Sequence, residues 1–189
     1  MPYLARPEWG ECGRAQSLRE HLEATARIAR TFAEDARPGD STFARAAYAA
    51  GLLHDLGKYT DAFQQKLAGV AGSGVRVEHS GHGAAVALDS CAYDVAFAVA
   101  GHHGGLSSPQ SIKEQAARCR SGVDTVLARA LSDLGSTDAD LLHQPPAWPS
   151  SGKEGSRAEL GIRMLASCLV DADRLNAAGH VIPPSWPQR

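Results

Sequence analysis

The chain has no apolar run approaching about 18 residues, so no transmembrane helix is expected and no membrane association is predicted. Its opening residues, MPYLARPEWGEC, lack the basic-then-apolar layout of a secretory signal, and a cytoplasmic location is the default expectation. The four cysteines, Cys12, Cys91, Cys119 and Cys168, are far apart and form no CxxC pair. That spacing argues against a zinc ribbon and against a disulfide framework. Positive charge is not in excess either: 19 Lys and Arg stand against 21 Asp and Glu, a net charge of −2. An autonomous nucleic-acid binder is usually strongly basic. Any contact with nucleic acid must therefore be local, metal-assisted or supplied by a partner. No GxxxxGK followed by Ser or Thr occurs, so a phosphate-cradling loop of the NTPase kind is missing. Internal repeats and a convincing set of strands are missing too.

What is present fits one domain over residues 1–189 with a real core: 43% of the residues are hydrophobic and 21% charged. The pattern is helical almost throughout, which predicts an all-α fold, a compact helical bundle. Leu18, Leu22, Thr25, Ala29 and Phe32 recur at steps of three and four, the mark of an amphipathic helix over 17–34. Ser17 with Glu20 resembles a capping box at its start. An alanine-rich helix is expected over 42–57 and a short one over 60–68. Residues 69–76 read as a flexible loop, 80–101 as one or two buried helices, and 104–111 as a loop. Further helices are expected over 121–134 and 156–177, separated by a Pro- and Ser-rich excursion over 143–155.

The chemistry lies in the histidines. Five of the eight fall in an ordered series: His21, His54 (followed by Asp55), His79, and the pair His102 and His103. Asp171 and Asp173 follow on the last helix. Imidazole and carboxylate suit Mn, Fe, Ni, Co or Zn. Any one of these histidines alone is more often a core residue with a satisfied hydrogen bond than a ligand; the ordered set argues otherwise. Phe43, Ala47, Ala50 and His54 share one face at helical spacing, so His54 points where core residues point. On the last helix, an apolar stripe of Leu160, Met164, Leu165, Cys168, Ala172 and Leu175 places Asp171 about 70° from its centre and Asp173 about 130° away. That favours Asp171 as the core-facing carboxylate, with Asp173 pairing with a surface arginine. Glycines after His54-Asp55 and after His102-His103 let the backbone turn sharply and a ligand approach.

The segments GLLHDLGKYTDAFQQKL (51–67), EHSGHGA (78–84), AVAGHHGGL (98–106) and SCLVDADRL (167–175) stand in an order that resembles the HD nuclease domain of the type I CRISPR-associated helicase-nuclease. The resemblance runs from about His21 to about Asn176. It implies a helical fold of the HD-domain type with two divalent transition-metal ions. His21, His54, Asp55 and Asp171 would hold one ion, Asp55 would bridge, and His79, His102 and His103 would hold the other. Lys58 would face the scissile phosphate. The implied activity is metal-dependent cleavage of single-stranded DNA, as endonuclease or exonuclease, in antiviral defence. A helicase domain or subunit would feed the strand and a CRISPR surveillance complex would recruit the enzyme.

Two assignments have rivals. His82 competes with His79, but relatives carry a small residue four places after the ligand, and Gly83 follows His79 at that spacing while Val86 follows His82. Asp173 competes with Asp171. Lacking a helicase motif, the chain reads as a stand-alone nuclease subunit or an excised domain. An HD phosphohydrolase of nucleotides or cyclic nucleotides would share the His, His-Asp and Asp ligands. The extra His79, His102 and His103 set favours the dinuclear nuclease. Lys113, Arg118, Arg120 and Arg129 could form a basic face beside His102-His103, although such scatter is usually solvated surface. His143 and His180 are expected on the surface, Cys91 and Cys168 in the core. Trp9, Trp148 and Trp186 are expected to pack under loops.

Overall fold

Ser17 begins the helical body: its hydroxyl accepts a hydrogen bond from the Glu20 N–H at 3.2 Å, satisfying one of the free donors of helix α1, Leu18–Ala36. The computed structural model describes residues 2–9, 13–70, 77–135, 138–148 and 155–180. Before α1, strands β1 (Leu4–Trp9) and β2 (Arg14–Ser17) pair antiparallel, with Arg6 opposite Gln16. This hairpin was not expected. LARPEW carries a proline between two charged residues, Arg6 and Glu8, so period-two alternation never shows.

Helix α2, Ser41–Leu53, is capped by the Asp40 carboxylate, which accepts from the Phe43 N–H at 3.0 Å. It crosses α1 at very close range. A Cβ added to Gly51 would lie 2.4 Å from Ala26 Cα, so only a glycine opposite an alanine permits the approach. Gly51→Ala should push the two backbones apart and cost about 3 kcal/mol, a fall of about 6–12 °C in Tm, read by thermal denaturation of metal-stripped protein. An unchanged Tm would show that the two helices tolerate separation.

Helix α2 ends at Leu53, short of the expected residue 57. His54 and Asp55 lie in the turn that follows, and a 3₁₀ turn covers Leu56–Tyr59. The turn is held because the Gly57 N–H donates to the His79 carbonyl at 2.9 Å, and a side chain at Gly57 would strike His79 and His82. Helix α3 (Asp61–Leu67) follows, then α4 (Gly81–Asp89) and α5 (Tyr93–Gly101), two helices within the expected 80–101 span. A Cβ at Gly83 would sit 2.0 Å from the Leu53 carbonyl oxygen. The small residue four places after His79 is thus what lets α4 lie against the end of α2.

Helix α6, Pro109–Cys119, starts inside the segment read as a loop. Ser108 caps it by accepting from the Ser111 N–H at 3.2 Å, and Pro109 takes the first helical position. The Ser-Ser-Pro string that resembles a loop is in fact a helix start. A 3₁₀ turn (Arg120–Gly122) leads into α7 (Val123–Leu134), and α8 (Ala139–His143) is a single short turn. The last helix, α9, Gly155–Ala177, packs against α1, α5 and α2. Among the described residues the architecture is all-α apart from the one hairpin, as expected.

Trp148 ties the start of the Pro-rich excursion to the body: its N–H donates to Asp94 and its indole N–H to Asp40, both at 3.0 Å. Trp9 is buried, and Cys168 is core. Cys91 is not: it is exposed in the α4–α5 turn with φ 56°. His143 and His180 are exposed. Trp186, Cys12, loop residues 71–76 and excursion residues 149–154 lie outside the described residues. No helix among the described residues is long and apolar enough to cross a membrane.

Candidate metal centre

Five elements aim side chains at one point. His21 comes from α1, His54 and Asp55 from the end of α2, His79 from the approach to α4, His102 and His103 from the end of α5, and Asp173 from α9. His21, His54, Asp55 and His102 are buried, and Lys58 is 8% exposed. Ligand-capable atoms form three overlapping groups in which all members lie within 4.8 Å of one another: Asp55, His79, His102 and His103; His21, His54 and Asp55; His54, His102 and Asp173. Asp55 belongs to the first two groups through different oxygens. Oδ1 lies 3.5 Å from His79 Nε2 and 3.6 Å from His102 Nε2, while Oδ2 lies 2.9 Å from His21 Nε2.

The backbone decides which ring nitrogen faces inward. His54 Nδ1 lies 2.8 Å from the Gly51 carbonyl, His102 Nδ1 2.7 Å from that of Val99, and His79 Nδ1 3.1 Å from that of Val77. A carbonyl only accepts, so each Nδ1 must donate, and in the neutral ring each Nε2 turns a bare lone pair into the cluster. His21 reaches the same state through a side chain. Asn176 Nδ2 donates to the His180 carbonyl, so its Oδ1 accepts, from Gln16 Nε2 at 2.9 Å and from His21 Nδ1 at 2.7 Å.

Such an arrangement has too many acceptors for itself. His21 Nε2 and His54 Nε2 are 3.1 Å apart. Asp55 Oδ1 and His102 Nε2 are buried without a hydrogen-bond partner, facing each other at 3.6 Å. Buried acceptors in contact require positive charge between them. Protons can supply some of it. Burial pushes the His54 imidazole down, but the adjacent Asp55 and Asp173 outweigh burial and carry it up to about 10. Burial opposes the Asp55 charge, yet Lys58, at 2.6 Å, and His54 hold its carboxyl well below the ordinary range. Asp173 is likewise held low, its contact with His54 overcoming burial. His21 and His79 are lowered by burial, and His103 is brought to about 4 by burial and the neighbouring His102. Histidines kept neutral beside carboxylates kept ionised are the donor set that divalent transition metals take up. The residues present fit the implied ions.

Of the site residues expected from the sequence, His21, His54, Asp55, Lys58, His79, His102 and His103 are brought together. Asp171 is not. It is exposed, whereas Asp173 Oδ1 lies 3.6 Å from His21 Nε2 and 3.8 Å from His54 Nε2. The preference for Asp171 is therefore corrected in favour of Asp173. The stripe used to choose was wrong: Leu160 is 58% exposed, while Leu169 and Asn176 are buried. Replacing the one by the other two turns the centre of the stripe by roughly 40° toward Asp173, which removes the advantage that the stripe gave Asp171. Asp173 also faces Arg6, 3.9 Å away, the arginine pairing anticipated but from the hairpin and not from a helical neighbour. His82 stands apart from the three groups, buried between Gly57 and Gly122.

Sequence reasoning missed Asn176 and Gln16, both fully buried. The available signal was Asn176 lying three residues after Asp173, on the same side of α9. Asn176→Leu should remove the acceptor that fixes His21 and lower metal affinity about 10–100-fold, measured by competition with a chelating dye. Affinity equal to the parent would show that His21 is held by packing alone.

A family model described as HD domain matches residues 18–178. No curated protein matches the chain.

Proposed function

The chain belongs to the HD-domain family, a superfamily of metal-dependent phosphohydrolases, and on that premise we propose that it cleaves phosphodiester bonds of single-stranded DNA with two divalent transition-metal ions. The observation that carries the reading is Asp55, whose two oxygens face two different histidine groups. Asp55, His79, His102 and His103 would hold one ion, and His21, His54, Asp55 and Asp173 the other. Ions held there would lower the pKa of water and draw charge from a phosphoryl group. Mn, Fe, Ni, Co and Zn all suit these ligands.

The chain's own residues supply the rest. Asp55 sets the spacing of the two groups. Lys58, its Nζ at 2.6 Å from Asp55 Oδ2, keeps a fixed positive charge where negative charge would build on phosphoryl oxygens. The carbonyls of Gly51, Val77 and Val99 and the Asn176 amide lock the rings, so no reorganisation accompanies reaction. No protein nucleophile is required.

DNA as the substrate, and a CRISPR setting with a helicase partner and a surveillance complex, are supported by the likeness of residues 51–67, 98–106 and 167–175 to that nuclease family. Incubation with Mn²⁺ and circular single-stranded DNA, and separately with nucleoside phosphates and cyclic nucleotides, tests the substrate. Conversion of the circle to linear and shorter products, stopped by a chelator, is the expected result. Turnover of the nucleotides alone overturns the strand-cleaving reading in favour of a small-molecule phosphohydrolase.

A further inference from the structure

Two concavities meet at the glycines that follow His103. One, of about 340 Å³, is walled by His79, His103, Ser107, Gln115 and Arg118. The other, of about 470 Å³, is walled by Leu106, Ser167, Asp171 and Arg174. Gly105 belongs to both walls. The crest between them is bare backbone, since a Cβ added at Gly104 or Gly105 would meet nothing within 4 Å. Gly105 has φ +84°, which glycine adopts without strain.

The charges sort themselves around this crest. Arg120 is tied to Asp89 at 2.7 Å and Arg129 to Asp61 at 2.9 Å, which removes both from the basic face considered beside His102-His103. Arg163, also on the second wall, is tied to Glu159 at 2.7 Å. Arg118 and Arg174 are exposed and, among the described residues, have no ion pair. They stand on opposite sides of the crest, one in each concavity. Glu78 shares the first wall, but its Oε1 already accepts from the N–H groups of His79, Ser80 and Gly81. Asp171 is the one exposed carboxylate on the second wall.

We propose that the two concavities form one trough for a single-stranded polynucleotide, whose backbone crosses Gly104 and Gly105 past His103 with phosphates on Arg118 and Arg174. This rests on the strand-cleaving reading and adds how the strand is held. A mononucleotide fits one concavity and reaches one arginine. A chain of phosphates reaches both, and guanidinium is the side chain best matched to phosphate oxygens. The bare crest lets the backbone pass without meeting a side chain.

Fluorescence anisotropy with labelled oligothymidylate of about 12 nucleotides tests the trough on the full, metal-free chain, so cleavage is not needed. Arg118→Glu with Arg174→Glu should weaken binding at least about tenfold, and Arg118→Gln with Arg174→Gln should flatten the salt dependence by about one unit of slope per arginine. Circular dichroism checks that the surface substitutions leave the helices intact. Binding within about twofold of the parent, no binding by the parent, or equal competition by thymidine monophosphate would each overturn the trough. A protein that binds the strand through both arginines yet hydrolyses only nucleotides would sink the strand-cleaving reading and leave the trough standing.

Discussion

Asp55→Ala is expected to reduce metal-dependent hydrolysis at least about 10³-fold, the loss of several kcal/mol of charge stabilisation, while leaving a folded helical protein. The expectation follows from where Asp55 sits. Its Oδ1 faces His79 and His102, its Oδ2 faces His21 and Lys58, and among the described residues no other carboxylate belongs to both histidine groups of which it is a member. Removing it separates the groups and takes from His79, His102 and His103 the carboxylate grouped with them, which would offset the charge of a cation. The fold should survive because the positive charge opposite Asp55 is relieved at the same time. His54 loses the chief influence that raises its imidazole, so it can shed its proton, and Lys58 is near enough to the surface to find water. Metal content per chain, measured by elemental analysis, should fall together with activity. Undiminished hydrolysis by a variant with native circular dichroism would remove Asp55 from the chemistry and with it the two-ion reading.

The second large effect separates two aspartates only one residue apart. Asp173→Ala should lower metal affinity about 10–100-fold or more, as loss of groups that hold or orient ligands does. Asp171→Ala should change it by no more than about twofold, the usual range for a surface substitution. The contrast has a physical basis in burial. Asp173 approaches His21 and His54 with a carboxylate held ionised by them, whereas Asp171 is exposed and outside all three ligand groups. The same titration on both variants decides the matter. Sensitivity at Asp171 with tolerance at Asp173 would mean that α9 is rotated from the position described.

Much of the site was legible because its residue types are uncommon in apolar settings. His54 could be placed on the core face by counting from Phe43, Ala47 and Ala50, and His102 and His103 at the end of a helix by the apolar run that precedes them. Ser17 could be named as a cap from its spacing to Glu20, and the hydrogen bond is there. Each of these depends on contacts within a few residues, which sequence spacing reports directly. Other features depend on which element comes to lie opposite. The choice between Asp171 and Asp173 required knowing that Leu169 and Asn176, and not Leu160, are covered by neighbouring helices. A stripe on a 23-residue helix can be drawn with more than one centre until its neighbours are in place.

The sequence by itself determined most of the helices, the donor chemistry and the approximate order in which candidate ligands appear, because local periodicity and side-chain type carry that information. Only the tertiary structure decided which aspartate turns inward, why Gly51 and Gly83 must be small, and how His21 is oriented. Those depend on pairs such as Gln16 with Asn176, which are 160 residues apart and meet only after α1 and α9 have packed. A hydrogen bond between distant residues leaves no periodic trace in a chain, because its geometry is created by the packing of elements whose own formation does not require it.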